Sequence, residues 1–186
     1  EFIPFLEESA MIIEVGDKML TKVCEFLVQL KQRGLLTASF KIAVNISGKQ
    51  LSEADFIDKV TNVLRKYQIA GHYLEFEITE SVALDNLKDT INKINELKQI
   101  GISFSLDDFG TGYSSLSHLK DLPVDKLKID QSFINDINVD KQDENLVKAI
   151  LQLAVNLGIV TVAEGVETKE QVEWLKENGS MLLQGY

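Results

Sequence analysis

The sequence predicts an α/β fold in which parallel strands alternate with amphipathic helices, as in a (β/α) barrel or a doubly wound sheet. Several segments carry apolar residues at helical spacing, and short apolar runs separate these segments. In three places a glycine stands between a helical segment and the next apolar run, at Gly101, Gly158 and Gly179. Glycine commonly closes a helix in the left-handed conformation. The repeated order of helix, glycine and strand is typical of βα units around a parallel sheet.

The elements follow this rhythm along the chain. The opening segment, about 2–32, is interpreted as one or two helices. Further helical stripes are Phe56, Ile57, Val60, Val63, Leu64 and Tyr67; Leu84, Leu87, Ile91, Ile94 and Leu97; and Leu146, Val147, Ile150, Leu151, Ala154 and Leu157. A shorter helix opens at Thr168, whose spacing to Gln171 is that of a capping box. Six strands are predicted, at 41–46, 73–79, 102–107, 126–130, 159–163 and 181–184.

Composition narrows the class of protein. The 186 residues fit one domain spanning 1–186, and 29 acidic against 19 basic residues leave a net charge of −10. This charge disfavours binding to a nucleic acid polymer, so a phosphate-bearing substrate would require a bound cation. Cys24 is the single cysteine, which excludes an internal disulfide and favours a small buried side chain. Neither a membrane span nor a signal peptide is recognisable, and the absence of an initial Met leaves room for an upstream region.

Polar side chains stand at the carboxyl ends of the predicted strands. In a parallel barrel these ends meet at one rim, where active sites are found. The residues are Asn45, Glu77, Asp107, Asp108, Lys128, Glu164 with Glu167 after it, and Gln184. The oxygen-bearing set Asn45, Glu77, Asp107 and Asp108 suits Mg²⁺ or Mn²⁺, and adjacent aspartates can bridge two ions for attack on a phosphodiester. Lys128 could hold the attacking water or neutralise developing charge.

Each of these residues also has a purely structural interpretation. Asp107 or Asp108 could be a helix cap, Asn45 a turn residue and Lys128 a solvated strand residue. Glu75 and Glu77 are harder to explain, because a charge on a buried parallel strand is costly unless it is paired or bound to metal.

Other motifs in the sequence do not indicate a function. The tripeptide Asp108-Phe109-Gly110 resembles that of kinases but lacks their other motifs, and Gly110-Thr111-Gly112 lacks the third glycine of a dinucleotide site. The two histidines, His72 and His118, are interpreted as surface residues.

Six sequence blocks, in order along nearly the whole chain, resemble those of EAL domains, the bacterial cyclic di-GMP phosphodiesterases. The blocks are Val44-Asn45-Ile46-Ser47, Glu77-Ile78-Thr79-Glu80-Ser81, 107–116 from Asp107 to Leu116, Leu127-Lys128-Ile129-Asp130, 162–168 from Val162 to Thr168, and Gln184-Gly185-Tyr186. The resemblance implies a (β/α)8 TIM-barrel-like EAL fold, seen here as an incomplete barrel. The Glu-x-Leu block with its first strand is expected before Glu1, and a last segment after Tyr186.

The resemblance also implies roles for individual residues. Asn45, Glu77 and Asp107 would bind metal, Asp107 and Asp108 would share a second Mg²⁺ or Mn²⁺ ion, and Lys128 would position the catalytic water. Glu164 would support the metal–water network, Glu167 would contact the substrate or support the site, and Gln184 would lie at the edge of the site. Glu80 would anchor the loop that begins at Asp108, which lies near the dimer contact in the family.

The expected function is metal-dependent hydrolysis of cyclic di-GMP to linear pGpG in the intact parent, with the isolated fragment impaired. The alternative is an inactive EAL domain that serves as a cyclic di-GMP receptor or a protein-interaction module. A homodimer through the loop after Asp108 and an upstream sensory or GGDEF domain are expected. So is a cytoplasmic location, including the cytoplasmic part of a membrane-anchored multidomain protein, with no membrane insertion by this domain.

Overall fold

The computed structural model describes residues 6, 9, 11–111, 116–180 and 182–185. The chain divides into two compact units, one of residues 1–78 and 85–104 and the other of residues 79–84 and 105–186. These are called the first and second units below.

Helices and strands alternate along the described chain, as the sequence predicts. The helices are α1 Met11–Gln32, α2 Gly48–Ser52, α3 Phe56–Tyr67, α4 Glu80–Asp85, α5 Leu87–Gln99, α6 Leu116–Leu119, α7 Gln131–Asn135, α8 Lys141–Leu157 and α9 Lys169–Glu177, with a 3-10 turn at Gly71–Tyr73. The strands are β1 Ile42–Asn45, β2 Leu74–Thr79, β3 Ser103–Phe109, β4 Lys126–Ile129, β5 Val160–Ala163 and β6 Leu182–Leu183.

Among the described residues, the six predicted strands are all present and form one sheet in chain order, β1 to β6. The pairs β1–β2, β3–β4, β4–β5 and β5–β6 are parallel, which confirms the predicted sheet. Most strand ends lie within one residue of the prediction. The exception is β3, which continues to Phe109, two residues past its predicted end.

The core of the first unit contains residues of β2, β3 and α3, and α1 packs against α3. Phe76 on β2 packs against Phe56 on α3, with ring centroids 6.2 Å apart, and edge-on against Phe104 at 5.7 Å. Leu27 and Cys24 of α1 are completely buried in the same unit. Cys24 is therefore the small core residue that the sequence predicts, and burial raises the pKa of its thiol to about 11.

In the second unit the helix α8 carries the predicted apolar face, with one error. Val147, Ile150, Leu151 and Ala154 are buried, whereas Leu146 is 41% exposed and does not belong to the core. The helix begins at the cap Asp140, whose side chain accepts from the amide of Gln142, and ends at Gly158 with φ +69°. The chain then enters β5, so this glycine turn works as predicted.

Three further predictions are refined by the structure. The described part of the opening segment is one helix, Met11–Gln32, while the predictions for residues 1–5, 7, 8 and 10 lie outside the described residues. The stripe predicted for 84–97 is broken, because Leu84 belongs to α4 and α5 begins only at Leu87. His72 and His118 are both exposed, as expected. No helix in the described ranges combines the length and apolar character needed to cross a membrane.

Candidate functional site

A bulge in β3 brings two adjacent carboxylates to the same place. Leu106 pairs with Leu127 and Phe109 pairs with Ile129, so Asp107 and Asp108 together lie opposite the single residue Lys128. Successive residues of a regular strand point to opposite faces, and the extra residue of a bulge breaks that alternation. Asp108 adopts φ +54°, a left-handed conformation that Asp and Asn tolerate better than most residues. The bulge therefore lets both aspartates serve one site.

Lys128 bridges two of the carboxylates. Its Nζ lies 2.9 Å from Asp107 Oδ1 and 2.8 Å from Glu164 Oε1, and its side chain is only 7% exposed. The same Asp107 oxygen also accepts a hydrogen bond from the amide of Asp108 at 3.1 Å. Lys128 is thus not the solvated strand residue of the structural interpretation. It is a buried cation held between acids from two neighbouring elements.

The acidic groups around Lys128 have the chemistry of a divalent-metal site. Asp107, Asp108 and Glu164 each offer one oxygen within 4.8 Å of the other two. Partial desolvation raises the pKa of the Asp108 carboxyl, and the neighbouring carboxylates of Asp107 and Asp130 raise this pKa further. The positive charge of Lys128 lowers it. The negative charges of these carboxylates repel one another, and a hard divalent cation bound to their oxygens would reduce this repulsion. The residues present therefore fit Mg²⁺ or Mn²⁺.

A cavity of about 510 Å³ opens beside these carboxylates, within the size range of small-molecule sites. Its described lining is mostly acidic or amide side chains from the ends of strands, together with two glycines. The residues are Asp108, Asp130, Gln131, Glu164, Gly165, Glu167, Gln184 and Gly185. Glu167 and Gln184, both predicted around the site, thus share this cavity with Asp108 and Glu164. Such a lining repels a phosphodiester unless cations are bound.

In the first unit, Asn45 and Glu77 are directly paired across the sheet. They are register partners at the carboxyl ends of β1 and β2, and the amide of Ile46 donates to the Glu77 carbonyl at 2.8 Å. Asn45 is exposed and ends its strand, while the Glu77 side chain is buried. The structure therefore brings these two predicted ligands together within their own unit.

Glu75, the other charged residue of β2, has a different environment. Ser103 Oγ lies 3.5 Å from Glu75 Oε2 and 2.8 Å from Lys41 Nζ, and it also donates to the Leu74 carbonyl. Glu75 thus belongs to a polar group around Ser103, two residues toward the amino end from Glu77. Its burial is accounted for by that group, whereas Glu77 lies nearer the carboxyl end of β2, and its role as a metal ligand stays a prediction.

Glu80 is buried at the start of α4, immediately after β2. The loop it was predicted to anchor includes residues 112–115, which lie outside the described residues. The anchoring role and the dimer contact therefore remain predictions.

Sequence reasoning missed two residues of the cavity wall, Asp130 and Gln131. Asp130 follows β4 directly and caps α7, with its Oδ1 accepting from the amide of Ser132 at 2.9 Å. The signal for it was available, because Asp130 stands after a strand just as Glu164 does. A single Asp before a helix, however, also has the ordinary meaning of a cap, which it fulfils here as well.

The comparisons with known proteins agree with this fold and site. The EAL domain family matches residues 1–186. The chain is 40% identical over 185 residues to the cyclic di-GMP phosphodiesterase NbdA of Pseudomonas aeruginosa, and 39% identical over 186 residues to the signaling protein YkoW of Bacillus subtilis. In each case all of this chain aligns, with 23% of the relative. The solved PaMucR phosphodiesterase in complex with c-di-GMP superposes with a TM-score of 0.92 at 38% identity, over 99% of this chain and 74% of that one.

A parallel α/β sheet with carboxylates and a lysine at the carboxyl ends of its strands is typical of TIM-barrel-like folds, in which active sites lie at that rim. Within that class, this chain belongs to the EAL domain family, whose fold is TIM-barrel-like. The chain spans about a quarter of the length of the curated relatives that it matches.

Proposed function

We propose that the full-length protein hydrolyses cyclic di-GMP to linear pGpG with the help of Mg²⁺ or Mn²⁺. One observation carries the proposal: Lys128 is held between Asp107 and Glu164 beside a cavity that Asp108 also lines. Relatives named as cyclic di-GMP phosphodiesterases, and a solved relative with c-di-GMP bound, support the same substrate.

In the proposed reaction, the oxygen of a water molecule forms a bond to phosphorus, and the bond from phosphorus to the 3′ oxygen of one ribose breaks. The product keeps its phosphate on the 5′ oxygen, as pGpG requires. Asp107, Asp108 and Glu164 would hold the divalent cations, which when bound supply polarisation of the phosphoryl group and charge neutralisation. A carboxylate of this cluster accepts the proton of the attacking water, and solvent protonates the leaving oxygen.

Lys128 has a separate part in this scheme. Its ammonium is fixed by two carboxylates and carries three N–H donors, so it can donate to the attacking water and orient it toward phosphorus. With two carboxylates within 2.9 Å of its ammonium, Lys128 is assigned the role of a positioning cation.

Asn45 and Glu77 are proposed as further metal ligands. This assignment is supported by their pairing at the carboxyl ends of β1 and β2 and by the family resemblance of both motifs. Glu80, Glu167 and Gln184 are proposed to support the loops and the cavity edge. A homodimer, upstream domains, a cytoplasmic location and lower activity of the isolated 186-residue chain complete the proposal.

The experiment is incubation of the full-length protein with cyclic di-GMP and either Mg²⁺ or Mn²⁺, with pGpG followed by chromatography. Appearance of pGpG that stops on chelation of the metal is the expected result. Binding of cyclic di-GMP without turnover would instead identify a receptor.

A variant separates the role of Glu77 from its contribution to the fold. Glu77→Gln removes one charge with almost no change in volume, so it is expected to abolish pGpG formation while the circular dichroism spectrum stays unchanged. The matched control is Glu96→Gln, on an exposed position of α5, which should keep full activity. Retained activity of Glu77→Gln would assign Glu77 a structural role only.

A further inference from the structure

Gln171 is a buried polar residue that the proposed mechanism does not use. It lies in the first turn of α9 and is only 6% exposed. Its side-chain Oε1 accepts hydrogen bonds from the backbone amides of Glu167 at 2.8 Å and Thr168 at 3.0 Å. Its backbone amide donates to Thr168 Oγ1 at 3.2 Å. These bonds confirm the capping box that the sequence predicts, and they hold the loop between β5 and α9, which carries Glu164 and Glu167.

The other end of the same side chain reaches a second loop. Gln171 Nε2 donates to the carbonyl of Ile134, in α7, at 3.1 Å, and this bond is buried. The helix α7 begins directly after Asp130, whose carboxylate caps it. The side-chain amide of Gln171 therefore joins the segment that carries Asp130 to the segment that carries Glu164. Asp130 and Glu164 both line the cavity.

The two segments also touch at a glycine. Gly165 has φ +67°, and a Cβ placed there would lie 2.6 Å from Gln131 Cβ. The walls therefore approach each other closely near Gly165, while Gln171 ties them together behind the cavity. The hydrogen bond of Gln171 and the close approach at Gly165 together fix the separation between the segments of Asp130 and Glu164.

We propose that Gln171 is a positioning residue that sets the spacing between the Asp130 and Glu164 segments, and so the position of Glu164, one of the proposed metal ligands, relative to the opposite wall of the cavity. The inference rests on the proposed function for its catalytic consequence. Its structural part, the link between the two segments, concerns this chain's own residues.

The choice of glutamine is itself informative. A capping box needs only an acceptor at this position, so glutamate would serve the helix equally well. Glutamate has no N–H to donate to the Ile134 carbonyl, however, and its second oxygen would face that carbonyl. Gln171→Glu therefore keeps the cap and breaks the link, which separates the two roles of this side chain.

The test compares Gln171→Glu with the wild type in the full-length protein. Hydrogen exchange followed by mass spectrometry should show faster exchange in peptides covering 131–135 and 164–168, with other peptides unchanged. The dissociation constant for Mn²⁺, measured by calorimetry without substrate, should rise about 10- to 100-fold, the usual effect of losing a residue that orients metal ligands. The value of kcat/KM at limiting Mn²⁺ should fall by a similar factor and recover in part at saturating Mn²⁺.

Two further variants sharpen the result. Gln152→Glu makes the same chemical change on the exposed surface of α8, where the side-chain amide donates to Asn156 of the same helix, and should leave all three measurements unchanged. Gln171→Met introduces no charge but removes both the link to Ile134 and the Oε1 acceptor of the capping box, and it should shift exchange and Mn²⁺ affinity in the same direction as Gln171→Glu. It serves as the test if Gln171→Glu does not fold.

Wild-type Mn²⁺ affinity and exchange in Gln171→Glu and Gln171→Met would overturn the proposal. A lower unfolding temperature with unchanged Mn²⁺ affinity would overturn it too, because that result describes a purely structural residue. If the wild-type protein bound Mn²⁺ but released no pGpG, the proposed function would fail, while the exchange and metal-binding measurements would still decide the role of Gln171.

Discussion

Lys128→Met is the substitution that most directly tests the electrostatics of the site. Methionine has nearly the volume and flexibility of the lysine side chain but lacks its charge. In the wild type the carboxylates of Asp107 and Glu164 lie 2.9 Å and 2.8 Å from the Lys128 ammonium. The substitution leaves both carboxylates without this shared cation. We expect the metal-free protein to become less stable and to bind divalent metal more tightly.

The magnitude follows from the burial of the three groups. Removing one partner from a buried ion pair leaves an uncompensated charge and costs about 3–5 kcal/mol. The side chains of Asp107 and Glu164 are 14% and 16% exposed, so water can reach them in part. The expected loss is therefore at the lower end, about 3 kcal/mol in the free energy of unfolding. A tenfold tighter Mn²⁺ site would return about 1.4 kcal/mol of that loss at saturating metal.

The assay is urea unfolding followed by the fluorescence of Trp174, the single tryptophan of the chain, with chelator and again with saturating Mn²⁺. The matched control is Lys169→Met, because Lys169 is 82% exposed and its contact with Glu173 is a surface pair. Such a change is expected to alter stability by less than about 0.5 kcal/mol. Equal unfolding curves for Lys128→Met and the wild type, in both conditions, would refute the view that Lys128 neutralises this cluster.

Three other predictions concern single residues. Asp108→Asn keeps a residue that tolerates φ +54° but removes a charge, so we expect a folded protein with pGpG formation reduced at least about 100-fold; wild-type turnover would exclude Asp108 from the site. Because burial raises the pKa of Cys24 to about 11, its thiol stays protonated at pH 8, and it should react with a disulfide reagent only after unfolding; rapid labelling of the native protein would contradict its burial. Gly165→Ala should destabilise the protein more than Gly158→Ala, as measured by thermal unfolding. Both glycines have positive φ, but only at Gly165 does the added Cβ meet another residue within 3 Å. Equal losses would show that the contact with Gln131 can relax.

Local patterns in the sequence were sufficient for the order of the elements. The strands are short apolar runs and the helices are amphipathic, and these two periodicities depend only on neighbouring residues. The errors arise where a local pattern is overruled by packing. Leu146 fits the helical stripe of α8 but is 41% exposed in the structure, and the stripe that begins at Leu84 crosses from one helix into another.

From the sequence, the residues of the site could be predicted, but their distances and contacts could not. That Asp107, Lys128 and Glu164 follow or lie in neighbouring strands is visible in the sequence, and the parallel order of β3, β4 and β5 then brings them together. Asp130 was missed because capping a helix already explains an aspartate at that position. Its place in the cavity wall becomes visible only when β4 and β5 are set side by side.

The sequence by itself determined the α/β class, the family and the identity of the acids and the lysine, because these depend on periodicity and on short motifs. Tertiary structure alone decided that oxygens of the adjacent Asp107 and Asp108 lie close together, beside Glu164. A regular strand would send them to opposite faces, and only the pairing of β3 with β4 reveals the bulge. It also decided that Lys128 is a buried bridge and that Gln171 links two loops, since both depend on contacts between segments distant along the chain.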